Sequence, residues 1–207
     1  MELFLATFSA LFSVVNPFGA MPVFLTLTHD DSPGRRNQQA FRACLYMVGI
    51  LTVFFFTGQY LLNFFGVRIH DLRIAGGIMI MKAGFDLLNA KSSEGNRKIS
   101  KGAVAESRNR EDISFAPLAM PMLSGPGAIA VTIGMFTGSL KFFDIVLIVS
   151  AIIFVGGATL TILFFSTRLT RFMGKAGLEA LSKIMGFIVL AIGVNFIVSA
   201  LTALFKG

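Results

Sequence analysis

Tryptophan is missing from this sequence, and in 207 residues tyrosine and histidine occur twice each and cysteine once. Each shortage removes a possibility. The single thiol, Cys44, rules out a disulfide within the chain, and with only two histidines beside it the usual zinc-ligand spacings cannot be assembled. Cys44 reads instead as a small apolar filler in a helix. No His-Glu-x-x-His, phosphate-binding loop or nucleophile elbow occurs. His29 and His70 fall on opposite membrane faces in the topology derived below. Neither an enzyme nor a cofactor or metal site is expected. The lack of tryptophan also removes most of the aromatic belt found at membrane surfaces, leaving Lys, Arg and Phe as anchors.

Charge is scarce as well. Charged residues make up 14% of the chain, where a soluble domain carries roughly a quarter. Hydrophobic residues make up 55% and the mean hydropathy is +0.77. The apolar residues come in long runs, so the expected solvent is the lipid bilayer. The first basic residue is Arg35; the opening segment lacks the positive region of a secretory signal and is expected to be kept as a span. The net charge of +7 is read as membrane topology, and no nucleic-acid partner is expected.

Six segments are long and apolar enough to predict an all-α integral membrane protein: 4–28, 39–64, 69–90, 113–138, 142–167 and 178–204. Their runs lack the polar alternation of barrel strands. The polar stretch 91–112 reads as a solvated cytoplasmic linker between a first three-helix repeat, 1–90, and a second, 113–207, within one membrane domain. Six spans put eleven basic residues (Arg35, Arg36, Lys91, Arg97, Lys98, Lys101, Arg108, Arg110, Arg168, Arg171 and Lys175) on one side. Arg68, Arg73, Lys141 and Lys206, four in all, face the other. This bias places both termini outside the cytoplasm.

The halves resemble each other. Asn16-Pro17 and Gly125-Pro126 stand 109 positions apart, as do Gly77 and Gly186, and Gly84 and Gly193. "FFG" at 64–66 and "FMG" at 172–174 stand 108 apart. Three helices per half is an odd number, so the second half enters the membrane the other way up: a 3+3 inverted repeat.

Both halves carry a break inside their first span. Asn is a strong N-cap and Pro is favoured at the first helical position, so Asn16-Pro17 is expected to end one half-helix and begin another. Ser124, Gly125 and Pro126 do the same in the fourth span. Residue 16 lies about 12 residues into its segment, or roughly 18 Å at the helical rise, near the middle of a hydrocarbon layer about 30 Å thick. The backbone N–H groups of Phe18, Gly19 and Ala20, and of Gly127, Ala128 and Ile129, are expected to be free there and to suit a carboxylate. The carbonyls of Ser13, Val14, Val15 and of 121–123 suit an ammonium group or a small cation. A small zwitterion such as glycine or alanine has the matching pattern. The alternative for either break is a simple kink.

Ionisable and amide groups inside spans are costly and often functional. Lys82 and Asp86, four apart, read as an ion pair or, for Asp86, as a proton-coupling site. Glu179 and Lys183 read as a second ion pair. Asn195 is expected to bond a neighbouring helix, with a ligand or gating role as the alternative. Arg42 is expected to snorkel. Thr26 and Thr132 either line a pathway or bond back to their own helices.

The stretches "VVNPFGAMPVFLTLT", "DLRIAGGIMIMKAGFDLL", "FAPLAMPMLSGPGAIA" and "GLEALSKIMGFIVLAIGVNFI" resemble the MarC family of six-span membrane proteins over essentially the whole chain. Its members include SnatA, a transporter of small neutral amino acids. The resemblance implies a transporter of that class in the inner (cell) membrane of a bacterium or archaeon, coupled to H+ or Na+. Its site would lie at Asn16, Pro17 and Gly19 and at Ser124, Gly125, Pro126 and Gly127. A passive channel or an exporter of small metabolites is the alternative reading.

Overall fold

A computed structural model describes residues 1–89, 112–135 and 140–206. The expected linker 91–112 lies outside the described residues except for Asp112. Eight helices make up the described chain: α1 (Glu2–Val15), α2 (Pro17–Leu27), α3 (Pro33–Phe64), α4 (Ile69–Asn89), α5 (Ser114–Leu123), α6 (Pro126–Met135), α7 (Phe142–Phe164) and α8 (Ser166–Lys206).

The segments Glu2–Leu27, Pro33–Phe64, Phe142–Phe164 and Glu179–Phe205 are long and apolar enough to cross a membrane. The pair α5 and α6, bent by 64°, makes a fifth if it is one span. Helix α4 falls short of that standard because Asp71, Arg73, Lys82 and Asp86 all lie within its 21 residues. Composition therefore supports four or five spans where six were expected.

Local chemistry sets the helix ends. Ser32 accepts the Arg35 N–H at 3.3 Å and Pro33 opens α3, a cap followed by a residue with no N–H to leave unpaired. At its other end Val67 N–H donates to the Leu62 carbonyl across Gly66, whose φ is +67°, the left-handed closure that glycine permits. Gly174 interrupts α8 with φ +64° and ψ −178°, a region that only glycine occupies freely. The lysine backbone at 141 donates to Asp144 at 3.2 Å and starts α7.

Helix α5 is irregular. Ala116 and Met120 are extended because each precedes a proline whose ring disfavours the helical conformation behind it. Both peptide bonds, Ala116-Pro117 and Met120-Pro121, are cis. The remaining bonds stretch to five-residue spacing, Leu118 N–H to the Ile113 carbonyl at 3.2 Å and Ser124 N–H to the Ala119 carbonyl at 2.8 Å. A plain half-helix was expected there; Pro117 and Pro121 prevent it.

Helices α4 and α8 form the most extensive pair, and they run antiparallel with glycine against glycine. A Cβ added to Gly77 would sit 2.8 Å from the Gly193 carbonyl oxygen, and one on Gly193 would meet the Gly77 carbonyl at 2.8 Å. Gly84 and Gly186 face each other at 2.9 and 3.1 Å in the same sense. Small residues allow this backbone approach between membrane helices. Elsewhere α1 lies on α7, α3 on both α5 and α7, and α6 on α3 and α4. Leu11, Phe24, Met47, Phe55, Leu123 and Ile152 are fully buried at the centre. Large apolar side chains such as Tyr60, Phe64, Phe142, Phe154 and Phe205 face outward, as a lipid-solvated surface requires.

Candidate functional site at the two interruptions

Asn16 is the one non-glycine residue with positive φ among the described residues, at φ 47° and ψ 65°. Its backbone N–H closes α1 on the Phe12 carbonyl at 3.0 Å, and its carbonyl accepts from Ala20 N–H at 3.1 Å to open α2. Its side-chain Oδ1 accepts from Gly19 N–H at 3.2 Å. Asn tolerates the left-handed conformation because its short polar side chain can bond locally. Two of the three N–H groups expected to be free are therefore engaged, and only that of Phe18 has no backbone partner among the described residues. Pro17 has no N–H for the Ser13 carbonyl and Gly19 N–H is turned to Asn16, so the Ser13, Val14 and Val15 carbonyls receive no backbone donor among the described residues.

At the second interruption Ser124 and Gly125 separate α5 from α6. Ile129 N–H donates to the Gly125 carbonyl at 3.1 Å, while Gly127 and Ala128 N–H have no backbone partner among the described residues. Ser124 is fully buried and its Oγ has no hydrogen-bond partner among the described residues. A buried hydroxyl left unpaired is unfavourable, so such groups call for an explanation.

The two interruptions are neighbours. A Cβ on Gly127 would meet Ile80 Cγ1 at 2.7 Å and Val14 Cγ1 at 3.2 Å. Asn16 is buried, as are Pro17, Ala20, Gly127 and Ala128; Phe18 and Gly19 are half-buried, and Pro126 is exposed. The space expected to be open beside Gly127 is thus walled by Ile80 and Val14. Leu87 stands over Gly19, 3.3 Å from an added Cβ. Sequence reasoning missed Ile80 and Leu87, which are ordinary aliphatics on α4; their three- and four-residue spacing from Gly76, Gly77 and Gly84 is the signal that marked that face.

The outer ends of the short helices are held by arginines. Arg36 donates to the Thr28 carbonyl at 2.8 Å and to Thr167 Oγ1 at 3.2 Å. Arg73 donates to the Gly134 carbonyl at 2.9 Å. Thr28 caps the C-terminus of α2, and Gly134 is next to the last residue of α6; a cation is favourable at both places. Both arginines had been read only as topology charges. Thr26 and Thr132 bond back to Pro22 and Ala128 of their own helices, at 2.9 and 2.7 Å.

The candidate coupling residues Lys82, Asp86 and Asn195 are all exposed. No ion pair joins Lys82 and Asp86 among the described residues. The expected pair fails because a base placed before the acid is the weaker order at this spacing and Asp is short. Glu179 and Lys183, in the favourable order, pair at 3.0 Å. Asn195 is exposed, and its Oδ1 accepts from Ser199 on the same helix at 3.1 Å, not from a neighbouring helix as expected. Cys44 is buried. No cluster of metal-ligating side chains occurs among the described residues.

A polar cluster lies at the start of α5. Gln39 Oε1 accepts from Ile113 N–H at 3.2 Å and Arg42 pairs with Asp112 at 2.8 Å. The Ser114 hydroxyl and amide also bond Asp112. These bonds, the Ser114 hydroxyl first, hold the Asp112 carboxyl below its ordinary pKa. Arg35, Gln38, Gln39, Arg42 and Asp112 line a cavity of about 430 Å³ there.

The family model for the MarC family integral membrane proteins matches residues 1–205. The chain belongs to the MarC family. This MarC-family chain is similar to a UPF0056 membrane protein of Methanocaldococcus jannaschii, 33% identical over 202 residues with 97% of each chain covered. It is also similar to the UPF0056 inner membrane protein MarC of Citrobacter koseri, 34% identical over 206 residues, covering 95% of this chain and 92% of the relative. The MarC protein of Salmonella typhimurium is 34% identical over 205 residues with the same coverage. No solved structure matches.

Proposed function

We propose that this MarC-family membrane protein is a secondary transporter of small neutral amino acids, built as a 3+3 inverted repeat of six spans in an inner (cell) membrane, with its substrate held between the two interruptions. The packing supports the repeat. Helices α1 on α7 and α5 on α3 are counterparts, as are α4 on α6 and α8 on α2. Reciprocal contacts, Gly77 with Gly193 and Gly84 with Gly186, are what a two-fold axis produces, with α4 then counted as a span. Gly66 and Gly174 keep the same left-handed φ.

The observation that carries the site is the buried Ser124 hydroxyl without a partner. At the two interruptions the N–H groups of Phe18, Gly127 and Ala128 and the carbonyls of Ser13, Val14 and Val15 have no backbone partner among the described residues. The donors suit a carboxylate at helix starts, and the carbonyls suit an ammonium group. The lining side chains are uncharged and the walls, Ile80, Val14 and Leu87, are aliphatic and close, which favours a neutral solute with a small side chain. The known substrate of one family member points the same way. Lys82, Asp86 and Asn195 are exposed, and coupling to H+ or Na+ rests on imposed gradients as its test.

Proteoliposomes test the reading. Labelled glycine or alanine should enter saturably and exchange with unlabelled substrate. Gly127→Leu, which drives a side chain toward Ile80 and Val14, should lower uptake at least tenfold. Gly127→Leu with Ile80→Ala restores room for folding and should still not transport. Undiminished uptake in either variant rejects the site, and a single-channel current rejects the carrier.

A further inference from the structure

We infer that the outward face of α4 is a self-association seam, on which Lys82 and Asp86 pair with Asp86 and Lys82 of a second copy of this chain. Ala75, Met79, Lys82, Asp86 and Asn89 are all exposed. Their alternating spacing of four and three is the seam of a helix that packs along another helix. The opposite face of α4, Gly76, Gly77, Ile80 and Gly84, is buried against α6 and α8. Among the described residues, neither Lys82 nor Asp86 has an ion-pair or hydrogen-bond partner.

Depth turns this exposure into an argument, and here the inference rests on the inverted arrangement proposed above. The reciprocal glycine contacts centre the crossing of α4 and α8 between Gly77 and Gly84 and between Gly186 and Gly193. An in-plane two-fold axis passes through that centre, which makes it the bilayer midplane. At the helical rise, Lys82 then lies about 2 Å and Asp86 about 8 Å from the midplane, well inside a hydrocarbon half-layer of about 15 Å. Charges at such depth pair with one another or face protein. Apolar Ile78, Met79 and Phe85 flank them, exposed at 55%, 42% and 47%.

The partner is a second copy because the face complements itself. One cation and one anion stand a turn apart, so a two-fold axis along the membrane normal sets each Lys82 within a side chain's reach of the other copy's Asp86. Both pairs form at once, the reciprocity of an isologous interface. The order that defeats the pair within one helix does not hinder it between helices.

The test is subunit counting by single-molecule photobleaching of the full-length protein, dilute in lipid bilayers and without substrate. Wild type should bleach in two steps. Lys82→Asp sets acid against acid and Asp86→Lys base against base, and each should bleach in one step, with association weakened at least tenfold. Lys82→Asp and Asp86→Lys proteins labelled in different colours and reconstituted together should co-localise as mixed pairs, which misfolded variants would not do. A monomeric wild type, single variants that pair like wild type, or mixed variants that stay apart would each overturn the inference. Transport by a monomeric wild type sinks the seam and spares the carrier; an intact dimer without transport does the reverse.

Discussion

At Asn16 a single residue ends one helix and caps the next, with its backbone and its side chain both engaged. At the second interruption the break is spread from Ala119 to Ile129, through a 64° bend, and leaves the Ser124 hydroxyl without a partner among the described residues. At the first, the backbone and side chain of Asn16 are consumed in making the joint, while the Phe18 N–H and the Ser13, Val14 and Val15 carbonyls keep no backbone partner among the described residues. The second keeps polar groups in reserve. The two breaks therefore differ in kind: Asn16 fixes the backbone at the first, and a buried hydroxyl stays without a partner among the described residues at the second.

The sharpest way to break that comparison is at Asn16. Asn16→Ala forces an ordinary side chain into the left-handed region, costing about 1–2 kcal/mol, and removes the cap on Gly19, costing a further ~1 kcal/mol. The melting temperature of the purified protein should fall by several degrees. Asn16→Gly keeps the backbone free and loses only the cap, so it should melt close to wild type. Equal damage from both would show that the joint is not what Asn16 supplies.

Ser124→Ala should behave oppositely. Removing a buried hydroxyl that bonds nothing leaves stability unchanged or raises it by about 1 kcal/mol. Substrate affinity should nonetheless drop by about tenfold, on the order of one lost hydrogen bond. Thermal stabilisation by glycine or alanine reads both quantities in one titration. A variant that loses stability with its affinity intact would make Ser124 a structural residue like Asn16.

The smallest effect concerns how α5 is anchored. Asp112 has its pKa lowered in the folded protein by Ser114 and then by Arg42. Its stabilising contribution is therefore complete above the ordinary carboxylate range and is lost as pH falls through the lowered folded value. The carboxylate is 44% exposed, so solvent screening keeps the contribution small. Asp112→Asn should flatten the acid limb of a stability–pH profile and change nothing at neutral pH beyond a slight loss. An unchanged acid limb would remove Asp112 from the anchor.

Where an element's signal is local, the chain declares it. Asn16-Pro17 announces a cap and a helix start in two letters, and the first segment is 2–27 against an expected 4–28. Helix α3 begins at Pro33 and α8 at Ser166, however, well before the expected 39 and 178. Side-chain partnerships and helix phase were harder. Asn195 is deep in an apolar run, yet which way it points depends on Gly186 and Gly193 turning that side of α8 toward α4. Lys82 and Asp86 have pair spacing but the wrong order. The two prolines of α5 are visible, but not the five-residue bonds that accommodate them. Ile80 and Leu87, which wall the candidate site, look like any other aliphatic until α4 is laid against α2 and α6.

The glycine contact between α4 and α8 has a mechanical consequence. Main chain approaches main chain at two points, with Ile197, Met81 and Leu87 packed onto the same glycines. Such a crossing resists sliding along either axis, because a shift of one residue would drive a side chain into the opposite backbone. If the proposed carrier rocks, this pair is its axle, and the helices hung around it carry the motion.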